Sequence, residues 1–221
     1  MGLFRFLFKI AVYFVLITVA WAGLYAIVPP PVTATMLMDE NGFNKDWTAF
    51  EDISPNMARA VIAAEDSKFC SHSGFDTEAI QKAIKRNAQG GRIRGGSTIS
   101  QQVAKNAFLW QGGGFFRKGL EAYFTFLIET IWSKHRIMEV YLNIAETGIG
   151  TYGVQAGAQR YFKKDAKDLT RIEAARIAAA LPLPKKRAVN GASGFTRRYG
   201  NTIAARINVV RNENLDRCLY K

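Results

Sequence analysis

The hydrophobic pattern begins with one uninterrupted apolar block. Residues 10–28 carry no charged side chain and are rich in Val, Ile, Leu, Ala and aromatic residues. A helix of about 20 apolar residues spans the hydrocarbon core of a bilayer, so the block predicts a membrane-spanning helix. Arg5 and Lys9 precede it and Pro29 follows it. Basic residues on the N-terminal side favour a cytoplasmic N-terminus, with the rest of the chain outside the cytoplasm.

A cleaved signal peptide is the alternative explanation of this block. Ala20-Trp21-Ala22 has the small-x-small form of a cleavage site. The apolar region of a signal peptide usually has only about 7–15 residues, so we favour an uncleaved anchor formed by residues 1–31.

The rest of the chain has helical periodicity almost throughout. Residues 32–53 are predicted to form a linker or arm, and residues 54–221 one domain. Ser54 and Pro55 predict a helix start, with serine as N-cap and proline at the first helical position, and Asp76 is expected to cap the next helix. Strand-like alternation is scarce, so the pattern predicts a mainly α domain. Further helices are predicted over residues 77–88, 97–109, 115–133, 134–146, 154–162, 171–181 and 195–212.

The net charge of +12 indicates an anionic binding partner. The segment through residue 28 holds two of the 30 basic residues and no acid, so the remainder carries +10. Nucleic acid is a common partner of such a basic chain. A domain tethered beside a membrane meets anionic headgroups and phosphates first, so we predict these partners and no nucleic acid, although many of the charges can be solvated helix faces.

The two cysteines, Cys70 and Cys218, leave two alternatives open. They can form a disulfide in an oxidising compartment, or stay unpaired as two small buried side chains. With only two Cys and two His in the chain, no zinc-binding spacing exists.

The first candidate for chemistry is an acidic pair that closes an apolar helical run. Glu65 and Asp66 end this run, and Phe69, His72 and Gly74 follow. A carboxylate there is costly unless it is paired or functional. Partial desolvation raises its pKa and suits it to general acid or base catalysis. The alternative is a solvated acid pair at a surface helix end.

The second candidate is a glycine pair followed by hydroxyl residues at a predicted helix start. Such a start presents backbone N–H groups and hydroxyls to anionic oxygen, and to phosphate above all. The alternative is an ordinary serine-capped helix. The spacing is not that of a nucleotide-binding P-loop. The residues are Gly95, Gly96, Ser97 and Thr98, with Gln101, Gln102 and Lys105 one to two turns further on.

The third candidate places Arg117, Lys118 and Glu121 on one helix face, three and four residues apart. A surface ion pair of this kind is worth at most about 1 kcal/mol. Because the surrounding helix is unusually apolar, we instead expect a lined cleft or a segment at the headgroup level of the membrane. In the second case Phe124 and Phe126 are expected to face lipid.

A fourth segment contains Lys134, Glu139, Tyr141 and Asn143. Its apolar residues, Tyr141 among them, are expected to be core, and Asn143 is expected to be a hydrogen-bonding residue at a junction.

These four segments, in this order and at these spacings, resemble the peptidoglycan glycosyltransferases, lysozyme-like polymerases that build glycan strands from lipid II. The resemblance is greatest to the monofunctional biosynthetic form and covers about residues 54–184. Ser100 stands where the family usually has Thr. A fifth, less distinctive segment runs from Glu173 to Pro182. The resemblance implies a lysozyme-like helical domain after a single transmembrane helix.

The resemblance also implies a mechanism and roles. Glu65 is the general base that removes the proton from the acceptor's 4-hydroxyl, which attacks the donor's anomeric carbon with inversion, forms a β-1,4 bond and releases undecaprenyl diphosphate. Glu121 is the second carboxylate, acting on the leaving-group side directly or through a divalent cation such as Mg²⁺; no organic cofactor is implied. The residues implied to bind the diphosphate are Ser97, Gln101, Gln102, Lys105, Arg117 and Lys118. The residues implied to support the site are Asp66, Phe69, His72, Gly95, Gly96, Thr98 and Asn143.

The implied partners are lipid II, the lipid-linked glycan strand, the bilayer, and cell-division or elongation proteins. The implied location is the bacterial inner membrane, with a periplasmic catalytic domain. The chain has neither the Ser-x-x-Lys nor the Lys-Thr-Gly motif of the transpeptidases, so no peptide cross-linking is expected.

Two other functions fit parts of the pattern. A lysozyme-like hydrolase or lytic transglycosylase would use a glutamate as an acid on a soluble polymer, but the basic cluster and the anchor argue against it. A non-catalytic, anchored cell-wall scaffold would make Glu65 and Glu121 dispensable.

Overall fold

The fold is mainly helical, as the periodicity predicts. The computed structural model describes residues 2–88 and 96–220, apart from the side chains of residues 82–84 and 86–88. Gly95 therefore lies outside the described residues. The helices are α1 (Gly2–Ile27), α2 (Ala34–Leu37), α3 (Pro55–Glu65), α4 (Thr77–Ala88), α5 (Ile99–Phe108), α6 (Gly114–Ile131), α7 (Lys134–Ile144), α8 (Val154–Phe162), α9 (Arg171–Ala180) and α10 (Gly194–Asn212). The strands are β1 (Asn44–Lys45), β2 (Glu146–Gly148) and β3 (Thr151–Tyr152).

Helix α1 contains the predicted anchor. Within the described residues it is the one helix that is long and apolar enough to span a membrane. It packs along α6: the Thr18 and Tyr123 hydroxyls lie 2.7 Å apart, and the indole N–H of Trp132 donates to the carbonyl of Ala22 at 2.8 Å. The predicted anchor therefore contacts the domain directly through the C-terminal half of α1.

The body of the domain is two groups of packed helices. Helix α3 packs against α9 and α10, and α5 packs against α6 and α7. The inner face of α3 buries Met57, Val61 and Ile62, and small side chains such as Ala175 and Ala178 on α9 let the helices approach closely. This packing places the C-terminal end of α3 beside α5.

The arm, residues 32–53, packs against the helical body of the domain. Met36 of α2 and Phe50 of a 3-10 turn are buried. Strand β1 pairs in parallel with β3, which pairs antiparallel with β2. The side chain of Asn143 accepts from the N–H of Thr48 and donates to its carbonyl, both at 2.8 Å. Asn143 is thus the predicted junction residue, and it holds the arm.

Most predicted helix bounds agree with the structure to within two residues, and Asp76 caps α4 by accepting from the N–H of Ala79 at 2.9 Å. Helix α3 starts at Pro55 as predicted, but the hydroxyl of Ser54 donates to the carbonyl of Leu169 instead of capping the helix. Helix α7 ends at Ile144, and Glu146 opens β2, because β2 and β3 satisfy each other's backbone groups.

A disulfide joins Cys70 to Cys218, which decides between the two alternatives for the cysteines. It connects the loop after α3 to the segment after α10. An ion pair of 2.7 Å between Arg59 and Asp216 ties the same segment to α3. The C-terminal segment is therefore fastened to the helix and loop on either side of Glu65.

Candidate active site

Glu65 is the last residue of α3 and is half-buried. Its carboxylate accepts a hydrogen bond from the side-chain N–H of Gln102 at 2.8 Å. Burial is the largest influence on the carboxyl and raises its pKa above the ordinary value of 4.5, while the Gln102 hydrogen bond opposes that rise. A carboxylate whose pKa is moved towards neutrality can accept a proton more effectively near neutral pH.

The orientation of the Gln102 amide is set by Tyr141. The buried phenol donates to the Gln102 carbonyl oxygen at 3.3 Å, which leaves the N–H₂ end facing Glu65. Burial raises the pKa of Tyr141 well above its usual value, so the phenol keeps the proton that it donates. Tyr141, which the sequence suggested only as core, therefore belongs to the site.

Asp66 and His72 brace the loop that follows Glu65. The imidazole Nε2 lies 2.9 and 3.0 Å from the two oxygens of the buried Asp66 carboxylate, and its Nδ1 accepts from the N–H of Gly74. Since Nδ1 accepts, Nε2 carries the proton and donates to Asp66. Asp66 also accepts from the N–H of Ile99, the first residue of α5, at 3.1 Å. Asp66 and His72 therefore hold the loop after Glu65 to the start of α5.

The second segment forms the start of α5, which begins at Ile99, two residues later than predicted. Thr98, not Ser97, is the N-cap, and it forms a capping box with Gln101. Gln101 is buried and its side-chain oxygen is bound to the N–H of Thr98, so it stabilises the helix start. Ser97 is exposed, 3.4 Å from the ammonium of Lys118. Gly96 packs against α4, where an added Cβ would lie 3.4 Å from the carbonyl oxygen of Ala79.

The third segment forms a cationic cluster around one buried carboxylate. Glu121 is 3% exposed and is bonded to the guanidinium of Arg117 at 2.5 Å and to the ammonium of Lys118. Lys105 of α5 is close enough for its charge to interact with all three. Burial lowers the pKa of Lys105, and a nearby anion would favour its charged form. Together these four residues, the Lys105 cluster, carry three positive charges and one negative charge.

A divalent cation does not fit the surroundings of Glu121. Both carboxylate oxygens are already bonded to cationic groups. The guanidinium and the ammonium would repel a metal ion bound to the same oxygens. Within the described part of the chain, no group of three or more His, Cys, Asp or Glu residues is arranged to hold a metal. We therefore derive no step through a metal.

Two recesses flank the Glu65–Gln102 hydrogen bond. The larger cavity, of about 370 Å³, is lined by Gln102 and Lys105 and walled by the arm at Asp39 and by the loop after α9 at Lys185. The smaller, of about 180 Å³, is lined by Glu65 and the residues around Ser97. The arrangement presents one partly desolvated carboxylate beside two recesses, and the larger recess has the volume of a small-molecule pocket.

Some predicted residues lie beside the site without facing it. Phe69 is buried, and the ammonium of Lys134 lies over its ring at 4.6 Å and bonds Glu129 at 2.7 Å. Glu139 pairs with Arg136 on α7. These contacts join α6, α7 and the loop after Glu65.

The bilayer-facing prediction for α6 is wrong at one residue. Phe124 is buried and stacks on Phe108 with ring centroids 4.6 Å apart, because α5 and α1 cover that face. Phe126 is 62% exposed, and Phe115 and Phe116 at the start of the helix are more exposed still. The apolar surface that remains open therefore lies on the other faces of α6.

Sequence reasoning also missed Arg187. It belongs to the loop between α9 and α10, and its charge lowers the pKa of Glu65. The only signal in the sequence was the basic run at residues 185–187 directly after a helix end, and such a run does not reveal which side chain turns towards the site.

Comparison with known proteins identifies the family of the chain. A family model described as transglycosylase matches residues 32–211. The chain is 50% identical over 199 residues to the biosynthetic peptidoglycan transglycosylase of Caulobacter vibrioides, covering 89% of this chain and 87% of the relative. It is 54% identical over 182 residues to the protein of the same name from Mannheimia succiniciproducens (78% and 75%) and 48% identical over 194 residues to that of Pseudomonas aeruginosa (84% of each).

Proposed function

The chain belongs to the transglycosylase family, and we propose that it polymerises lipid II into β-1,4-linked glycan strands with Glu65 as the general base. The relatives share the name biosynthetic peptidoglycan transglycosylase and are bacterial proteins. The observation that carries the assignment of the base is the half-buried Glu65 carboxylate, which is hydrogen-bonded to one amide and has a raised pKa.

In the proposed reaction the acceptor's 4-hydroxyl gives its proton to Glu65 as its oxygen attacks the anomeric carbon of the donor. The new C–O bond forms on the face opposite to the breaking bond, so the configuration inverts. The diphosphate departs with the electron pair. The raised pKa of Glu65 brings the carboxylate closer to the proton affinity that such a transfer requires at neutral pH.

The Lys105 cluster is proposed to stabilise the departing diphosphate. Its excess positive charge is fixed before the reaction, since Glu121 holds Arg117 and Lys118 in place. Preorganised charge of this kind stabilises negative charge that develops in the transition state. Ser97, exposed beside Lys118, can add a hydroxyl donor. Glu121 thus acts by positioning the cations, and Gln101 acts through the helix cap.

The membrane location is part of the same proposal. Helix α1 is proposed to be a single-pass anchor in the inner membrane with a cytoplasmic N-terminus, supported by Arg5 and Lys9 ahead of the apolar block. Exposed aromatic residues on α6, among them Phe115, Phe116 and Phe126, lie on the helix that α1 packs against. Tethering to the membrane that holds both substrates raises their effective concentration.

The test is polymerisation of labelled lipid II by the full chain in detergent, with products resolved by size. Wild type should give long, lysozyme-sensitive strands. Glu65→Gln, which keeps shape and hydrogen bonding but removes the base, should reduce the rate by roughly 10²–10⁴-fold. Glu213→Gln, at an exposed glutamate after α10, is the matched control and should be fully active.

Three outcomes would overturn the proposal. Equal rates for wild type and Glu65→Gln would remove Glu65 from the chemistry. Wild-type protein that is folded by circular dichroism but forms no polymer would support the scaffold function, and release of soluble fragments from finished strands would support the hydrolase.

A further inference from the structure

Arg187 is a half-buried cation without an anionic partner among the described residues. Its Nη1 donates to the carbonyl of Ala179 at the end of α9 at 2.7 Å. The guanidinium lies over the ring of Phe195 at 5.2 Å from its centroid. No carboxylate in the described part of the chain forms an ion pair with it. Partial burial of an unpaired charge is unfavourable unless an anion joins it.

Arg187 is connected to the end of the helix that carries Glu65. Phe195 stacks on Tyr199 with centroids 5.6 Å apart. The Tyr199 hydroxyl donates to the carbonyl of Ala64 at 2.9 Å, one residue before Glu65. Arg187, Phe195 and Tyr199 therefore form a cation–aromatic platform beside the candidate base; we call them the Arg187 platform.

The Arg187 platform is distinct from the Lys105 cluster. Its residues come from α10 and the loop before it, whereas the cluster comes from α5 and α6. The two groups also interact electrostatically with different residues. The charge of Arg187 acts on Glu65, whereas the charge of Lys105 interacts with the other members of its cluster. The Lys105 cluster and the Arg187 platform thus place positive charge on two sides of the site. Glu121 neutralises part of the charge of the Lys105 cluster and none of the charge of Arg187.

We propose that the Arg187 platform binds the diphosphate-linked sugar of the acceptor substrate. The inference rests on the proposed function, in which two lipid-linked diphosphates must be bound at once: one departs from the donor, and the other stays on the acceptor. A guanidinium presents parallel N–H donors that match a phosphate in bidentate fashion. With Nη1 held by Ala179, the remaining N–H groups have no hydrogen-bond partner among the described residues and can bind the ligand.

The acceptor's hydroxyl must reach Glu65 while its diphosphate is held, and the platform lies beside Glu65 through the Tyr199–Ala64 bond. The same lipid phosphate chemistry could come from a membrane headgroup. Phe195, which is 58% exposed, would suit either source.

The test is elongation of a preformed, labelled lipid-linked strand as donor, at varied lipid II concentration, in detergent micelles. Arg187→Ala should raise the KM for lipid II about tenfold, the effect of losing one charged hydrogen-bonding pair. Its kcat at saturating lipid II should stay within about twofold, and the dependence on donor concentration should be unchanged. Arg187→Lys keeps the charge but loses the paired N–H donors of the guanidinium. Its KM for lipid II should lie between that of wild type and that of Arg187→Ala.

Arg171→Ala is the matched control, because Arg171 is an exposed arginine at the other end of α9. It should leave every parameter unchanged. Arg187→Gln keeps a donor for the Ala179 carbonyl, so it tests the loss of charge in a chain whose loop is still held. Its KM should rise as that of Arg187→Ala does.

The results separate the possible failures. If wild type polymerises, Glu65→Gln does not, and both Arg187→Ala and Arg187→Gln keep the wild-type KM, the platform does not bind the acceptor while the proposed function stands. A loss confined to kcat would also overturn the proposal. Weaker sedimentation of Arg187→Ala with anionic phospholipid vesicles, at unchanged KM in detergent, would assign the platform to membrane headgroups.

Discussion

Two carboxylates, the half-buried Glu65 and the buried Glu121, have opposite surroundings. Glu65 has a neutral amide as its hydrogen-bond partner, and burial raises its pKa. Glu121 has a guanidinium and an ammonium on its two oxygens. The first has capacity left to accept a proton, whereas the second is already saturated by cations. The same residue type therefore serves as a base at one position and as a holder of charge at the other.

Glu121→Gln should have the largest effect on stability. It leaves Arg117 and Lys118 without their partner, and loss of one side of a buried ion pair costs about 3–4 kcal/mol. Lys118 is 46% exposed, so most of the loss comes from Arg117. The melting temperature should fall by roughly 6–16 °C, measured by calorimetry.

Glu65→Gln provides the contrast at pH 7. Because the folded-state pKa of Glu65 is raised, its ionisation destabilises the fold as pH rises through that pKa, and the cost is absent below the ordinary value of 4.5. Glu65→Gln should therefore be at least as stable as wild type at pH 7 and equal to it near pH 4. An equal loss of stability in both variants would mean that the two carboxylates are held alike.

Loss of the disulfide should have the next largest effect. Cys70 and Cys218 are 148 residues apart in the chain and cross-link the loop after Glu65. Replacing both with serine should lower the free energy of unfolding by about 2–3 kcal/mol, measured by urea denaturation. Dithiothreitol should destabilise wild type and leave the double variant unchanged. If the reductant has no effect on wild type, the cross-link does not stabilise the folded chain.

The pH dependence should report on Gln102. Activity requires ionised Glu65, so kcat/KM should fall on the acid side through a pKa above 4.5. The Gln102 hydrogen bond lowers this pKa, so Gln102→Leu should move the acid limb to higher pH and reduce kcat/KM about tenfold at neutral pH. Gln101→Leu is the neighbouring control; it should lower stability through the cap and leave the acid limb in place.

Tyr141→Phe should have the smallest effect, about three- to tenfold in kcat/KM. The phenol acts only by orienting Gln102, so its loss lets the amide turn away from Glu65. Because both residues act through one hydrogen-bond chain, Tyr141→Phe with Gln102→Leu should be no slower than Gln102→Leu alone. Additive losses would show that Tyr141 acts on substrate independently.

The sequence by itself determined the helices, the starts of α3 and α4, and the order of the four segments. Pro55 and Asp76 mark their helix starts because capping involves neighbours within four residues. The same local rules misplaced Glu146, which became a strand residue only because β3 returned to pair with β2. They also placed the α5 cap at Ser97, although Thr98 forms it and binds the carbonyl of Gly74.

The tertiary structure alone decided which groups meet at the site. The amide of Gln102 faces Glu65 because Tyr141, on α7, fixes its other end. Gln101, next to it in sequence, turns to the cap instead. Arg187 reaches the neighbourhood of Glu65, and Cys218 reaches Cys70, only when α10 has packed on α3 and α9. Periodicity records which face of a helix is buried, but it carries no information on which distant side chain lies against that face.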